Sequence, residues 1–100
     1  MNRTEICKRY QEIKAELKTK RESIKYFTKQ FFIDYMEAKK QVTENYKRGI
    51  DNTYKINNVV LTHEYDKVYT SKFYQENGGA YCVFLEIMHA REKKEARKND

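Results

Sequence analysis

Two histidines and two cysteines are the residues of this chain best suited to metal or nucleophilic chemistry. His63-Glu64 matches the start of the zinc-binding His-Glu-x-x-His motif, but Lys67 occupies the position of the second histidine. Cys7, Cys82, His63 and His89 could form a tetrahedral zinc site in principle, yet no two have a ligand spacing such as Cys-x-x-Cys. A nucleophile pair between Cys82 and either histidine stays open, without a motif that supports it.

The glycines and the neighbouring carboxylates give no catalytic pattern either. Gly49, Gly78 and Gly79 are explained by a helix end and a turn, and they form no phosphate-binding loop. Glu64 and Asp66 lie two residues apart on a predicted strand, with no pocket-forming sequence around them. We therefore expect a protein that is not an enzyme and that needs neither a cofactor nor a metal.

Length and composition predict one small domain, residues 1–100, with a thin core. The chain is 36% charged and 39% hydrophobic, with a net charge of +6. It lacks a run of about 18 apolar residues for a membrane helix, and its polar start does not resemble a signal peptide. Two reduced thiols and no membrane partner then favour a cytoplasmic location, which is the host cytoplasm if a phage encodes the chain. The residue usage is typical of AT-rich genes, including those of phages and mobile elements.

The first half of the chain, residues 3–48, has the hydrophobic period of an amphipathic helix. It contains no Pro or Gly, and its apolar residues fall within one stripe about 100° wide. The members of this apolar stripe are Ile6, Tyr10, Ile13, Leu17, Ile24, Phe27, Phe31, Tyr35, Ala38, Val42 and Tyr46. Gly49 follows Lys47 and Arg48, an ordinary helix end.

The polar run from Lys18 to Ser23 leaves a helical hairpin open, but the unbroken phase of the stripe slightly favours one long helix. Such a helix would be about 65 Å long, too long to be covered by a domain of this size. We therefore expect part of the stripe to face a second copy or a partner. This oligomer seam consists of Ile6, Tyr10, Ile13, Leu17 and Ile24.

Residues 54–90 are rich in Tyr, Val, Ile and Thr, which favours strands. Asn77-Gly78 predicts a hairpin turn that pairs Tyr74 with Tyr81, and residues 56–65 are the candidate third strand. A short helix through Tyr65, Val68, Tyr69 and Phe73 stays open as an alternative. Residues 91–100 are expected to form a charged tail or a frayed helical extension. The predicted fold is α+β, with a long N-terminal amphipathic helix (or helical hairpin) followed by a small antiparallel sheet of two or three strands.

The excess of positive charge is confined to the helical half. Residues 1–50 carry 13 Lys and Arg against 7 Asp and Glu, whereas residues 51–100 carry 8 of each. At helical spacing, five cations form a basic stripe: Lys14, Lys18, Arg21, Lys25 and Lys29. Such a stripe fits a nucleic-acid backbone or an acidic protein groove, and it equally fits a solvated face beside an oligomer seam.

Aromatic residues are concentrated on the predicted hairpin. They are Tyr65, Tyr69, Phe73, Tyr74 and Tyr81. On an open sheet they could stack on unpaired bases or contact a protein partner, whereas in a core poor in leucine they would fill the interior.

These observations lead us to expect a small non-catalytic binding protein, encoded by a phage or mobile element, that acts stoichiometrically on a host macromolecule. Its partner would be a host protein or a protein–nucleic acid complex, for example a nuclease or a defence complex that it inhibits. The alternative is a nucleic-acid-binding accessory or regulatory protein that contacts DNA or RNA through the basic stripe. A homodimer held by a coiled coil is a third hypothesis.

Overall fold

In the computed structural model, which describes residues 2–21, 23–63 and 71–98, the chain forms four helices and a small hairpin that packs on the second helix. The helices are α1 (Arg3–Lys20), α2 (Lys29–Lys47), α3 (Lys72–Asn77) and α4 (Gly79–Lys98), and the strands are β1 (Thr53–Ile56) and β2 (Val59–Thr62). The α+β class is confirmed, with helices first and a two-stranded antiparallel sheet after them.

The N-terminal half forms two helices, not the single long helix that we favoured. The Asn2 side chain caps α1 by accepting a hydrogen bond from the backbone N–H of Glu5, and the Thr28 hydroxyl caps α2 by accepting one from Phe31. Between the helices the chain reverses through Tyr26, whose φ is +62°. A continuous helix over residues 3–48 would be about 65 Å long. The longest dimension of the molecule is only 40 Å, so part of the apolar stripe of such a helix would stay uncovered. Folding back lets α1 and α2 share one core.

Helix α2 ends where the sequence places its end. Gly49 has a φ of +71°, and its N–H donates to the carbonyl of Tyr46 while the next N–H, of Ile50, donates to that of Asn45. This is the Schellman arrangement that glycine accommodates without strain. The predicted end near Gly49 is therefore confirmed.

The sheet is a hairpin that lies earlier in the chain than predicted. Strands β1 and β2 pair antiparallel with Ile56 opposite Val59, and Asn57 at the turn has a φ of +51°. The candidate third strand, residues 56–65, thus contains this turn, and the described residues form two strands only. Val59 and Leu61 are buried, and the sheet packs on α2.

The predicted hairpin at Asn77-Gly78 is wrong. Gly78, with a φ of +50°, separates α3 from α4, because residues that suit a tight turn also suit a helix end. Helix α4 buries one face with a helical period and extends through most of the predicted charged tail to Lys98. Its buried residues are Ala80, Tyr81, Phe84, Ile87 and Met88. Tyr74 and Tyr81 still meet, at a ring-centroid distance of 4.9 Å, but across two helices.

Four phenylalanine rings from four different segments form the centre of the core. Phe27 comes from the α1–α2 connection, Phe31 from α2, Phe73 from α3 and Phe84 from α4. Every pair of these rings lies at a centroid distance between 5.0 and 6.0 Å. Aromatic pairs at such distances add to the free energy gained by burial. This cluster holds the beginnings of α2, α3 and α4 at one end of the molecule.

Candidate functional site

The basic stripe does not lie on one helix face. Lys14 and Lys18 lie on α1, Arg21 is its C-terminal cap, Lys25 lies in the connection and Lys29 begins α2. Because the helix stops at Lys20, the helical spacing applies only to the first two of these cations. Lys14 is half-buried, with its Nζ 5.6 Å from the ring centre of Tyr10, and the other four residues are exposed.

Two acidic residues of α1, Glu12 and Glu16, form ion pairs with α4. Arg91 on α4 binds Glu12 at 3.2 Å and Glu16 at 3.5 Å, and Arg9 pairs with Glu95. These contacts show that α1 and α4 run antiparallel. No cation of the basic stripe forms an ion pair with any residue that the structure describes. Glu12 and Glu16 of α1 are therefore paired within the molecule, whereas Lys18 on the same helix is exposed and forms no ion pair with a described residue.

The helix directions concentrate this positive charge further. Helices α2 and α4 run parallel, because Phe31 lies beside Phe84 at a centroid distance of 5.8 Å and Lys39 binds Glu92 at 2.9 Å. The N-termini of α2, α3 and α4 therefore meet around the phenylalanine cluster. The first turn of none of these three helices contains an acidic residue. Helix α1, whose N-terminus lies at the other end, has Glu5 in its first turn.

Cations occupy these three N-termini instead of acids. Lys29 begins α2, Lys72 begins α3, and the Arg21 guanidinium lies over the start of α4, where a Cβ on Gly79 would be 2.9 Å from its Nη2. Positive side chains there oppose the helix macrodipole, which favours anions at N-termini. We call this region the electropositive end. It comprises Lys18, Arg21, Lys25, Lys29 and Lys72. The sequence did not indicate Lys72, because only the tertiary fold brings α3 to this end.

The cations at the opposite end have an ordinary structural role. Lys47 lies in the last turn of α2, and Lys93, Lys94 and Arg97 lie towards the end of α4. Cations near helix C-termini complement the macrodipole. At the electropositive end the same rule accounts for Lys18, which lies in the last turn of α1. It does not account for Lys29, Lys72 or the Arg21 guanidinium, which lie at helix N-termini.

The predicted aromatic surface is largely interior. Phe73 and Tyr81 are buried and Tyr74 is half-buried, on α3 and α4 instead of on an open sheet. Tyr65 and Tyr69 lie outside the described residues. These three aromatic residues therefore fill the core, which is one of the roles that the sequence leaves open, and they do not form a binding platform.

The predicted oligomer seam is also covered by the chain itself. Ile13 and Leu17 have no exposed surface, and Tyr10 is 6% exposed. Ile6 and Ile24 are partly buried against the same core. The prediction of a seam depends on one helix that is too long for the domain, and the fold removes that excess length by turning the chain back. The argument for a homodimer or a protein partner through these residues consequently fails.

The residues considered for metal or nucleophilic chemistry are dispersed over the fold. Cys7 lies on α1 and exposed Cys82 on α4, whereas His63 and His89 line one shallow cavity with Glu92. The His63 ring stacks on Tyr46 at a centroid distance of 3.6 Å. Among the described residues, no three His, Cys, Asp or Glu side chains are placed to hold a metal ion.

The helices within the described ranges are too short or too polar to cross a membrane. No family model, curated protein or solved structure matches this chain.

Proposed function

We propose that this protein is a non-catalytic binding protein that contacts the phosphate backbone of nucleic acid through its electropositive end. The observation that carries the proposal is the convergence of three helix N-termini whose neighbouring cations lack acidic partners among the described residues. This arrangement costs stability in the isolated protein, and the cost is removed when an anion binds there.

A polyanion suits this region better than a single anion does. The five cations come from α1, the connection, α2 and α3, and they surround one end of a molecule 23 to 40 Å across. Nucleic acid presents phosphates at regular intervals along such a span, and the release of its counterions gives affinity without sequence specificity. The predicted seam is covered by the chain itself, so it no longer supports a host-protein target. Binding to the phosphate backbone of nucleic acid is the function that the geometry favours.

Binding to a single-stranded and a duplex 20-mer at about 50 and 200 mM salt tests the proposal. Neutralisation of five phosphates predicts that the logarithm of the affinity falls with the logarithm of the salt concentration with a slope of about −3 to −5. We expect Lys18→Glu with Lys25→Glu to weaken binding at least tenfold and to lower this slope.

The matched control is Lys93→Glu with Lys94→Glu, which makes the same change of net charge at the other end of the molecule. It should weaken binding far less than the first pair does. Absence of binding at low salt, or equal losses from the two pairs, would disprove the proposal.

A further inference from the structure

A small pocket opens beside the electropositive end, between the α1–α2 connection, the β-turn and the start of α3. Its volume is about 200 Å³, less than a drug-sized ligand needs. Its polar wall includes Tyr26, Asp34, Ser71 and Lys72, and its apolar wall includes Phe31 and Phe73. The size and the mixed lining suit one planar heterocycle better than a whole nucleotide.

Tyr26 stands at the mouth of this pocket in a strained backbone conformation. Its φ of +62° is rare for a bulky residue, and the residue is 45% exposed. Burial of the ring therefore does not explain the strain. The Nζ of Lys72 lies 5.4 Å from the ring centre. Strain of this kind persists where the surroundings enforce it, and it is concentrated at functional sites.

The neighbours of Tyr26 hold it in place from both sides. On one side, the Asn77 side chain hydrogen bonds to the backbone of Lys25. On the other, Phe27 is buried in the core and its carbonyl accepts a hydrogen bond from the Tyr10 hydroxyl at 3.1 Å. The backbone on both sides of the exposed ring is thus held in place, and an exposed aromatic ring can stack on an unpaired base.

Asp34 gives the pocket a chemical preference. The residue is only 5% exposed, and its two carboxylate oxygens accept hydrogen bonds from Gln30 at 2.9 Å and Asn57 at 3.1 Å. Both donors are neutral amides, and each oxygen keeps a further lone pair. Among the four bases, guanine alone presents two adjacent N–H donors on its Watson–Crick edge, the complement of a carboxylate.

We propose that the pocket binds one unpaired guanine, which stacks on Tyr26 and donates its N–H groups to Asp34, so that the protein prefers single strands. This inference rests on the proposed function, because the neighbouring cations would hold the phosphates on either side of the base. A base within a duplex could not enter, since its Watson–Crick edge is already paired and both of its faces are stacked.

The experiment compares a thymine-only 12-mer, the same strand with one central guanine, the duplex of the latter, and the two corresponding RNA strands. We expect the guanine-containing single strand to bind the protein roughly tenfold more tightly than the thymine strand. The RNA pair shows whether the sugar contributes.

Two variants, the first with a matched control, locate the effect. Asn tolerates the φ of residue 26 best among non-glycine residues, so Tyr26→Asn should keep the melting temperature or raise it. We expect this variant to lose roughly 5- to 100-fold of single-strand affinity, whereas Tyr26→Phe, which keeps the ring, should retain it. Asp34→Asn should remove the preference for guanine and leave the salt dependence unchanged.

The possible failures are distinguishable. If binding depends on salt, but its affinity is the same with and without guanine and the same in Tyr26→Asn, the guanine pocket is disproved and the proposed function still stands. Absence of binding to every oligonucleotide overturns both proposals.

Discussion

The Asn77 side chain at the end of α3 hydrogen bonds to both backbone polar groups of Lys25, 52 residues away. Its Oδ1 accepts from the Lys25 N–H at 2.6 Å, and its Nδ2 donates to the Lys25 carbonyl. The same Nδ2 donates to the Phe73 carbonyl at 3.1 Å. One amide therefore joins the α1–α2 connection to α3. It satisfies the N–H and the carbonyl of Lys25, which lies in no helix or sheet.

Removal of this amide should destabilise the protein and loosen the connection. We expect Asn77→Ala to lower the free energy of unfolding by about 1–2 kcal/mol, because each hydrogen bond contributes about 0.5–1.5 kcal/mol net. Urea denaturation followed by circular dichroism measures the loss. The control is Glu76→Ala at the exposed neighbouring position, for which a change within about 0.5 kcal/mol is expected. Equal effects of the two substitutions would show that the amide does not hold the connection.

Phe27 and Tyr46 belong to the same apolar stripe in the sequence, but the structure places them differently. Phe27 is 5% exposed at the centre of the aromatic cluster, whereas Tyr46 is 55% exposed and contacts His63. We expect Phe27→Ala to cost about 3–5 kcal/mol of unfolding free energy and Tyr46→Ala about 0.5–1.5 kcal/mol. Chemical denaturation of the two variants checks this contrast, and a small effect at Phe27 would contradict the core described above.

Burial of the predicted seam within one chain predicts a monomer. Ile13 and Leu17 have no exposed surface left for a second copy. The melting temperature should therefore not depend on protein concentration, whereas unfolding coupled to dimer dissociation would raise it with concentration. Differential scanning fluorimetry across a dilution series, with sedimentation analysis at its two ends, makes the measurement. A rise in melting temperature with concentration would restore the dimer hypothesis.

The ion pairs of Arg91 should contribute modestly and depend on salt. Its guanidinium binds Glu12 and Glu16, and the side chains involved are 29 to 45% exposed. We expect Arg91→Gln to lower the unfolding free energy by about 0.5–1 kcal/mol at low salt and by less at high salt, because exposed pairs are screened. Denaturation at two salt concentrations measures this difference. A loss that is independent of salt would assign the role of Arg91 to packing along its aliphatic stem.

Several features follow from local sequence alone. The period of the apolar residues identifies the helical character of residues 3–48, and Gly49 with Lys47 and Arg48 marks its end. These features are readable because helix period and helix ends are set by neighbours within about one turn. The excess of cations in the first half is likewise a property of composition, and it led to four of the five residues of the electropositive end.

The identity of the C-terminal elements could not be read in the same way. Asn77-Gly78 suits a hairpin and a helix end equally, and the run from Tyr81 to Met88 is apolar at both strand and helix periods. Packing decides between them, because Phe84 contacts rings from three other segments and Arg91 binds Glu12 of α1.

The sequence by itself determined that the first half of the chain is helical in character, that this half ends near Gly49 and that it carries the excess positive charge. The tertiary structure alone decided that the chain turns at Tyr26, that the seam is interior, and that Lys72 joins Arg21 and Lys29 at one end. The reason is physical. The hydrophobic period of a segment favours helix or strand locally, whereas the relative orientation of the helices depends on core contacts between side chains that are distant in sequence. The same contacts place Asp34 and Tyr26 on one pocket, although nothing in their spacing relates them.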